Sequence, residues 1–158
     1  MKRPTVVALL VLAGLAGHPA RAAADVTFFV GFTPTPHTQS VRGVSAGVSM
    51  LLFAFEFEYA LSREDTTNPA PGLETGMFNA LITTPTNIQL YATIGAGAYR
   101  ESLGGAHVTN IGTNLGGGIK FPLFGPLKVR VDYRVFTLRG KPSNNHPQRL
   151  YVGVNWQF

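Results

Sequence analysis

Six charged residues stand at alternate positions in two stretches of the chain. Glu56 and Glu58 lie in Phe53-Ala54-Phe55-Glu56-Phe57-Glu58-Tyr59-Ala60-Leu61-Ser62. Lys128, Arg130, Asp132 and Arg134 lie in the stretch from Leu127 to Leu138. Carboxylates and cations two residues apart share one face of a strand, because side chains alternate with a period of two. The opposite face of the same stretches is apolar: Phe53, Phe55, Phe57, Tyr59 and Leu61 in the first, Val129, Val131, Tyr133 and Val135 in the second. Charges turned away from an apolar exterior enter a confined interior, where they must pair. Such a cluster serves either as a gate on an ion path or as a plug, and an eight-stranded ring leaves little channel beside its own side chains. The plug is the expectation.

Nucleophilic chemistry has fewer candidates. His37, His107 and His146 fall in polar connections, with Ser40, Ser102 and Ser143 near them in sequence, and His18 lies in the leading segment. A serine nucleophile needs a base within hydrogen-bond reach and a third group that orients the base. The chain has no His-x-Ser pairing and no nucleophile elbow, so the histidines read as loop residues and no catalytic residue is expected. Gly95-Ala96-Gly97 and Leu115-Gly116-Gly117-Gly118 lack the strand–loop–helix setting of a phosphate loop. In strands such glycines mark bends and close packing. There is no cysteine, hence no disulfide framework, thiolate metal site or lipoprotein anchor. No metal or other cofactor is expected.

Eight period-two stretches position these residues, near 26–33, 41–49, 53–62, 74–83, 88–100, 110–121, 127–138 and 150–158. Their connections alternate in length. Pro34–Ser40, Arg63–Gly72, Ser102–Val108 and Gly140–Pro147 are longer and polar, whereas Met50–Leu52, Thr84–Asn87 and Pro122–Pro126 are short. Proline and glycine punctuate both sets. Long loops at one end and tight turns at the other are the pattern of a transmembrane barrel, and an even strand number brings both termini to the short-turn end.

The chain opens with Lys2 and Arg3, continues with an apolar run from Thr5 to Gly17, and reaches the small-residue sites Ala20-Arg21-Ala22 and Ala22-Ala23-Ala24. This is the layout of a cleavable signal peptide, and the run is too short to span a bilayer as a helix. The expected division is a signal peptide over 1–24 and a barrel over 25–158. Removing Lys2, Arg3 and Arg21 leaves ten bases against eight acids, a balance of +2. No clustered basic surface points to nucleic acid. Charged residues are 13% of the chain, about half the share of an ordinary soluble domain. An exported chain this poor in charge, with no later apolar run long enough for a helix, is left with the closed barrel as its way to satisfy backbone groups in lipid.

A soluble lipocalin-like barrel would also alternate, with its apolar face turned inward. Here the polar face is mostly Gly, Ser, Thr, Ala and Asn, which suit a crowded lumen, and the apolar face carries more Phe, Leu, Ile and Val than a narrow interior holds. The apolar face is therefore expected outside, against lipid.

The segment Leu150-Tyr151-Val152-Gly153-Val154-Asn155-Trp156-Gln157-Phe158 resembles the C-terminal assembly signal of outer-membrane proteins. The resemblance implies that the barrel-assembly machinery reads Tyr151, Val154, Trp156 and Phe158. Over residues 25–158 the chain is similar to the small outer-membrane-protein β-barrel superfamily, the OmpA-like and OmpW-like barrels. The implied fold is all-β: an eight-stranded antiparallel up-and-down transmembrane β-barrel in a bacterial outer membrane. The implied role is non-enzymatic, whether structural, surface-interacting or passing small solutes to a limited extent. The implied partners are outer-membrane lipid and the assembly machinery, with a monomeric barrel and no periplasmic peptidoglycan-binding domain. The alternative within this class of barrels is an enzyme that modifies outer-leaflet lipid, a deacylase or acyltransferase.

Overall fold

A computed structural model of the chain describes residues 22–34, 38–65 and 70–158. Most of the expected signal peptide, with His18, lies outside the described residues, as does His37. Eight strands follow one another: β1 (Ala23–Thr33), β2 (Gln39–Met50), β3 (Phe53–Ser62), β4 (Gly72–Thr83), β5 (Gln89–Leu103), β6 (Ala106–Phe124), β7 (Leu127–Leu138) and β8 (Gln148–Gln157). Each pairs antiparallel with the next, and β8 pairs with β1 to close the ring. Closure removes every sheet edge, the condition for a sheet to sit in lipid. The last seam bonds are reciprocal: Ala24 N donates to the Phe158 carbonyl at 2.9 Å, and Phe158 N donates to the Ala24 carbonyl at 2.8 Å.

The faces fall as alternation demands. Phe28, Val30, Phe55, Phe78, Ile94, Leu115, Val152 and Trp156 are exposed on the outside, while Thr27, Glu58, Thr75, Arg130, Asp132 and Asn155 are fully buried inside. A soluble barrel has the reverse arrangement, so the lipocalin-like alternative fails on this point. The weakest stretch in the sequence, near 74–83, is a full strand, with Phe78 outward and Met77, Asn79 and Leu81 inward.

One connection differs from the expectation. Ser102–Val108 reads as a long polar loop, yet β5 and β6 continue to Leu103 and Ala106 and turn on Gly104-Gly105, with φ of +58° and +85°. A two-residue hairpin turn of this kind needs positive φ at both central positions, which glycine adopts without strain. The polarity of the segment reports emergence into water and not loss of strand structure. β5 and β6 are 15 and 19 residues long, against the roughly 9–11 that a tilted strand needs to cross a bilayer. Their hairpin therefore stands above the membrane. At the opposite end β6 shifts register between Pro122 and Phe124, where proline has no N–H to give the ladder.

The lipid-face assignment carries a graded prediction. Ile94 is midway along the outward positions of β5, and Leu123 lies beside the β6–β7 turn. Ile94→Lys should lower the stability of the barrel in lipid vesicles by about 2–4 kcal/mol, and Leu123→Lys by about 0–1 kcal/mol. Urea unfolding followed by heat-modifiable migration reads both, and equal losses would mean that Ile94 does not sit near the midplane.

Candidate functional site

The interior positions of β7 read, from the short-turn end to the long-loop end, Lys128, Arg130, Asp132, Arg134, Phe136 and Leu138. β3 lies across the ring and turns Glu56 and Glu58 into the same layer, at 5% and 0% exposure. Arg130 is the lower clamp. Its Nη1 donates to Glu56 Oε2, its Nη2 donates to Asp132 Oδ2 at 2.9 Å, and its Nε donates to the Tyr91 hydroxyl at 2.7 Å. The Tyr91 hydroxyl donates in turn to Asp132 Oδ2, and the Ser45 hydroxyl donates to Glu56 Oε2 at 3.0 Å.

Arg134 is the upper clamp. Its Nε donates to Asp132 Oδ1 at 2.9 Å, and its Nη2 reaches Glu56 Oε1 at 3.0 Å and the Tyr151 hydroxyl at 3.1 Å. Its Nη1 lies 3.2 Å from Glu58 Oε2, close enough for an ion pair, though it is not aimed for a hydrogen bond. The Tyr151 hydroxyl donates to Glu58 Oε2 at 3.1 Å. Guanidinium groups suit this layer because each presents several fixed donors to more than one carboxylate.

Two residues depart from the sequence reading. Arg149, at the start of β8, donates through Nη1 to Glu58 Oε1 at 3.1 Å and through Nη2 to the Thr75 hydroxyl at 3.2 Å. Its parity with Tyr151 marks it as an interior residue, but the alternating stretch near 150–158 begins one residue too late to include it. Lys128 does face the lumen, yet it stands below the cluster and donates to Gln89 Oε1 at 3.0 Å. A second pair the sequence reading did not draw, Lys120 with Asp25, closes at 2.8 Å with both side chains buried. The cluster proper is thus Glu56, Glu58 and Asp132 with Arg130, Arg134 and Arg149, three negative and three positive charges.

Tyr151 differs in placement from the other three residues of the expected assembly signal. Val154 and Trp156 face outward, and Phe158 is 69% exposed, whereas Tyr151 is 1% exposed, with its ring stacked on Phe29 at 4.1 Å. In the folded barrel it belongs to the plug. Above the charges, toward the long-loop end, Met77, Tyr99, Phe136 and Leu138 form an apolar layer, and Arg149 lies over the Phe136 ring at 4.6 Å. The lumen is filled by an ionic layer capped by an apolar one.

The histidines give one pairing. Ser102 and His107 face each other across the β5–β6 hairpin, with Oγ and Nδ1 2.8 Å apart. Among the described residues, no carboxylate holds the other ring nitrogen. The nearby Glu101 accepts instead from Ser143 N at 3.1 and 3.2 Å. His146 is exposed, and its backbone N–H donates to the Asn144 side chain. No group of metal-ligating side chains occurs among the described residues.

Breaking the plug should cost more than its net value, because removal of one partner leaves the other charged and buried. Arg130→Ala and Glu56→Ala should each destabilise the barrel by about 3–5 kcal/mol. The double variant should cost clearly less than the two losses together. Additive losses in vesicle unfolding would show that the two residues do not form one unit.

No protein-family model matches the chain, and neither does any curated protein. Solved structures do match in fold. The N-terminal β-barrel domain of Pseudomonas aeruginosa OprF superposes with a TM-score of 0.66 at 13% identity, over 86% of this chain and 97% of that one. Neisserial surface protein A superposes with a TM-score of 0.67 at 18% identity, over 87% and 96%. The outer membrane enzyme PagL gives 0.52 at 15% identity, over 84% and 98%. With its closed ring of eight strands and its outward apolar band, the chain has the fold of the small outer-membrane β-barrels.

Proposed function

We propose that this barrel is a non-conducting outer-membrane anchor that holds the β5–β6 hairpin and the long loops at the cell surface, with structural and surface-interaction roles and no chemistry of its own. The observation that carries the reading is the neutral layer of three carboxylates and three arginines under an apolar cap. A water-filled path needs hydrated walls, and these charges are spent on one another. The length of β5 and β6 supports display, since a hairpin that continues beyond the bilayer presents a rigid surface. In this reading the protein is a monomer, exported through its signal peptide. The barrel-assembly machinery engages Val154 and Trp156 on the outward face of β8, Phe158 just past its end, and Tyr151 before it is buried.

Single-channel recording in planar bilayers tests the reading. The wild-type barrel should show no steady open level, and a large stable conductance would overturn it.

A second reading, the lipid-modifying enzyme, draws on the Ser102–His107 pair and on the fold shared with PagL. Against it, the pair lacks an orienting carboxylate among the described residues and stands beyond the outward apolar positions of β5, which end at Ala98. His107→Ala should leave the lipid profile of the producing cell unchanged. A lipid species that disappears in this variant would promote the enzyme.

A further inference from the structure

A trough runs along the outside of the barrel where β1, β2 and β8 meet. Its lower part, about 740 Å³, is walled by Phe28, Val30, Val44, Val152 and Val154 and ends upward at Arg42. A second depression, about 360 Å³, continues from Val30, Arg42 and Leu61 to Arg63 and Ser40 at the long-loop end. The two share Val30, Arg42 and Leu61, so they form one continuous groove, apolar within the membrane and cationic at its outer rim. No acidic side chain lines either part.

Arg42 is on the lipid face: it is exposed, and its cross-strand neighbours are Val30 and Leu61. Among the described residues neither Arg42 nor Arg63 has a hydrogen bond or ion pair from its side chain. Their polar neighbours are engaged elsewhere. The Glu64 carboxylate accepts from Gly104 N at 2.6 Å, and the Glu74 carboxylate accepts from the Tyr59 hydroxyl. A guanidinium beside the hydrocarbon reaches toward the interface on its flexible stem. There it needs an anion, and the planar fork matches phosphate oxygens.

We propose that this groove binds a phosphate-bearing lipid of the outer leaflet, with one acyl chain laid between Phe28, Val44, Val152 and Val154 and the phosphate held by Arg42 and Arg63. Charge complementarity selects this occupant, because an apolar face alone would accept any lipid tail, whereas two cations at the head of the groove, with no side-chain partner among the described residues, select a negative headgroup. The exposed Arg139, just past the end of β7, lines neither of these two depressions and serves as the comparison.

Native mass spectrometry of the purified, folded barrel with added phosphatidic acid or phosphatidylcholine tests the site. The wild-type protein should retain phosphatidic acid over phosphatidylcholine by about fivefold or more, as charge-assisted hydrogen bonds require. Arg42→Gln, Arg63→Gln and their combination should lower that preference toward unity. Arg139→Gln should keep it. Val152→Trp, which fills the trough and leaves both arginines in place, should weaken retention of both lipids, and millimolar inorganic phosphate should not displace the bound lipid. Both arginine sites lie outside the lumen network, so heat-modifiable migration should report all these variants as folded.

Retention of phosphatidic acid by the double arginine variant at the wild-type level would overturn the proposal, as would a loss in Arg139→Gln equal to that in Arg42→Gln. Displacement by inorganic phosphate, or indifference to Val152→Trp, would overturn the acyl-chain part and leave an anion site alone. Conductance is not the readout, so failure here leaves the sealed-lumen reading standing.

Discussion

The ring is too narrow to hydrate six ionised side chains, and so the charges must satisfy one another. That requirement organises the lumen. Glu56 and Glu58 come from one wall, and Arg130, Asp132, Arg134 and Arg149 come from the opposite side. Their hydroxyl partners, Ser45, Thr75, Tyr91 and Tyr151, come from β2, β4, β5 and β8. A layer that draws donors and acceptors from so many strands fixes the cross-section of the barrel and the rotation of each strand about its own axis. A slip of one residue in β3, β7 or β8 would turn a glutamate or an arginine into lipid and an apolar residue into the lumen.

The outside follows from the same alternation, with the opposite solvent. Each inward charge on β3 is flanked by outward rings, Phe55, Phe57 and Tyr59, and each inward arginine on β7 by Val129, Val131, Tyr133 and Val135. The small lumen residues let the strands pack at this diameter. At Gly97 an added Cβ would press into the Gly76 carbonyl, and at Gly118 into the Val131 carbonyl. The polar face is poor in side-chain volume because the arginines and tyrosines already occupy the space.

Much of this was legible in the residues, for a physical reason: the period of two in a barrel strand is set by the backbone and survives any sequence divergence. Strand number and the shared face of five of the six cluster members, Glu56, Glu58, Arg130, Asp132 and Arg134, can be read from parity, and the outward face from parity together with the small residues of the polar face. Parity does not give height along the barrel axis. That is why Lys128, on the correct face, falls below the cluster at Gln89, and why Arg149, one position before the apolar alternation begins, escapes notice. Polarity was a poor guide to where strands end. Ser102, His107 and Thr109 remain in β5 and β6 because water, and not a turn, is what they meet. The Ser102–His107 contact is likewise invisible without the hairpin register that sets the two residues face to face.

The contacts that tie β3 to β7 and β8 join residues 74 to 93 positions apart in the chain. No open sheet can make them, because β8 has no place beside β1 until the ring shuts. Until that moment the carboxylates and guanidinium groups need water, which their partners across the lumen replace when the ring shuts. Closure is then a dehydration event for the charged layer as well as a pairing event, and the pairing of β8 with β1 brings with it Arg149 and Tyr151, which bond to Glu58.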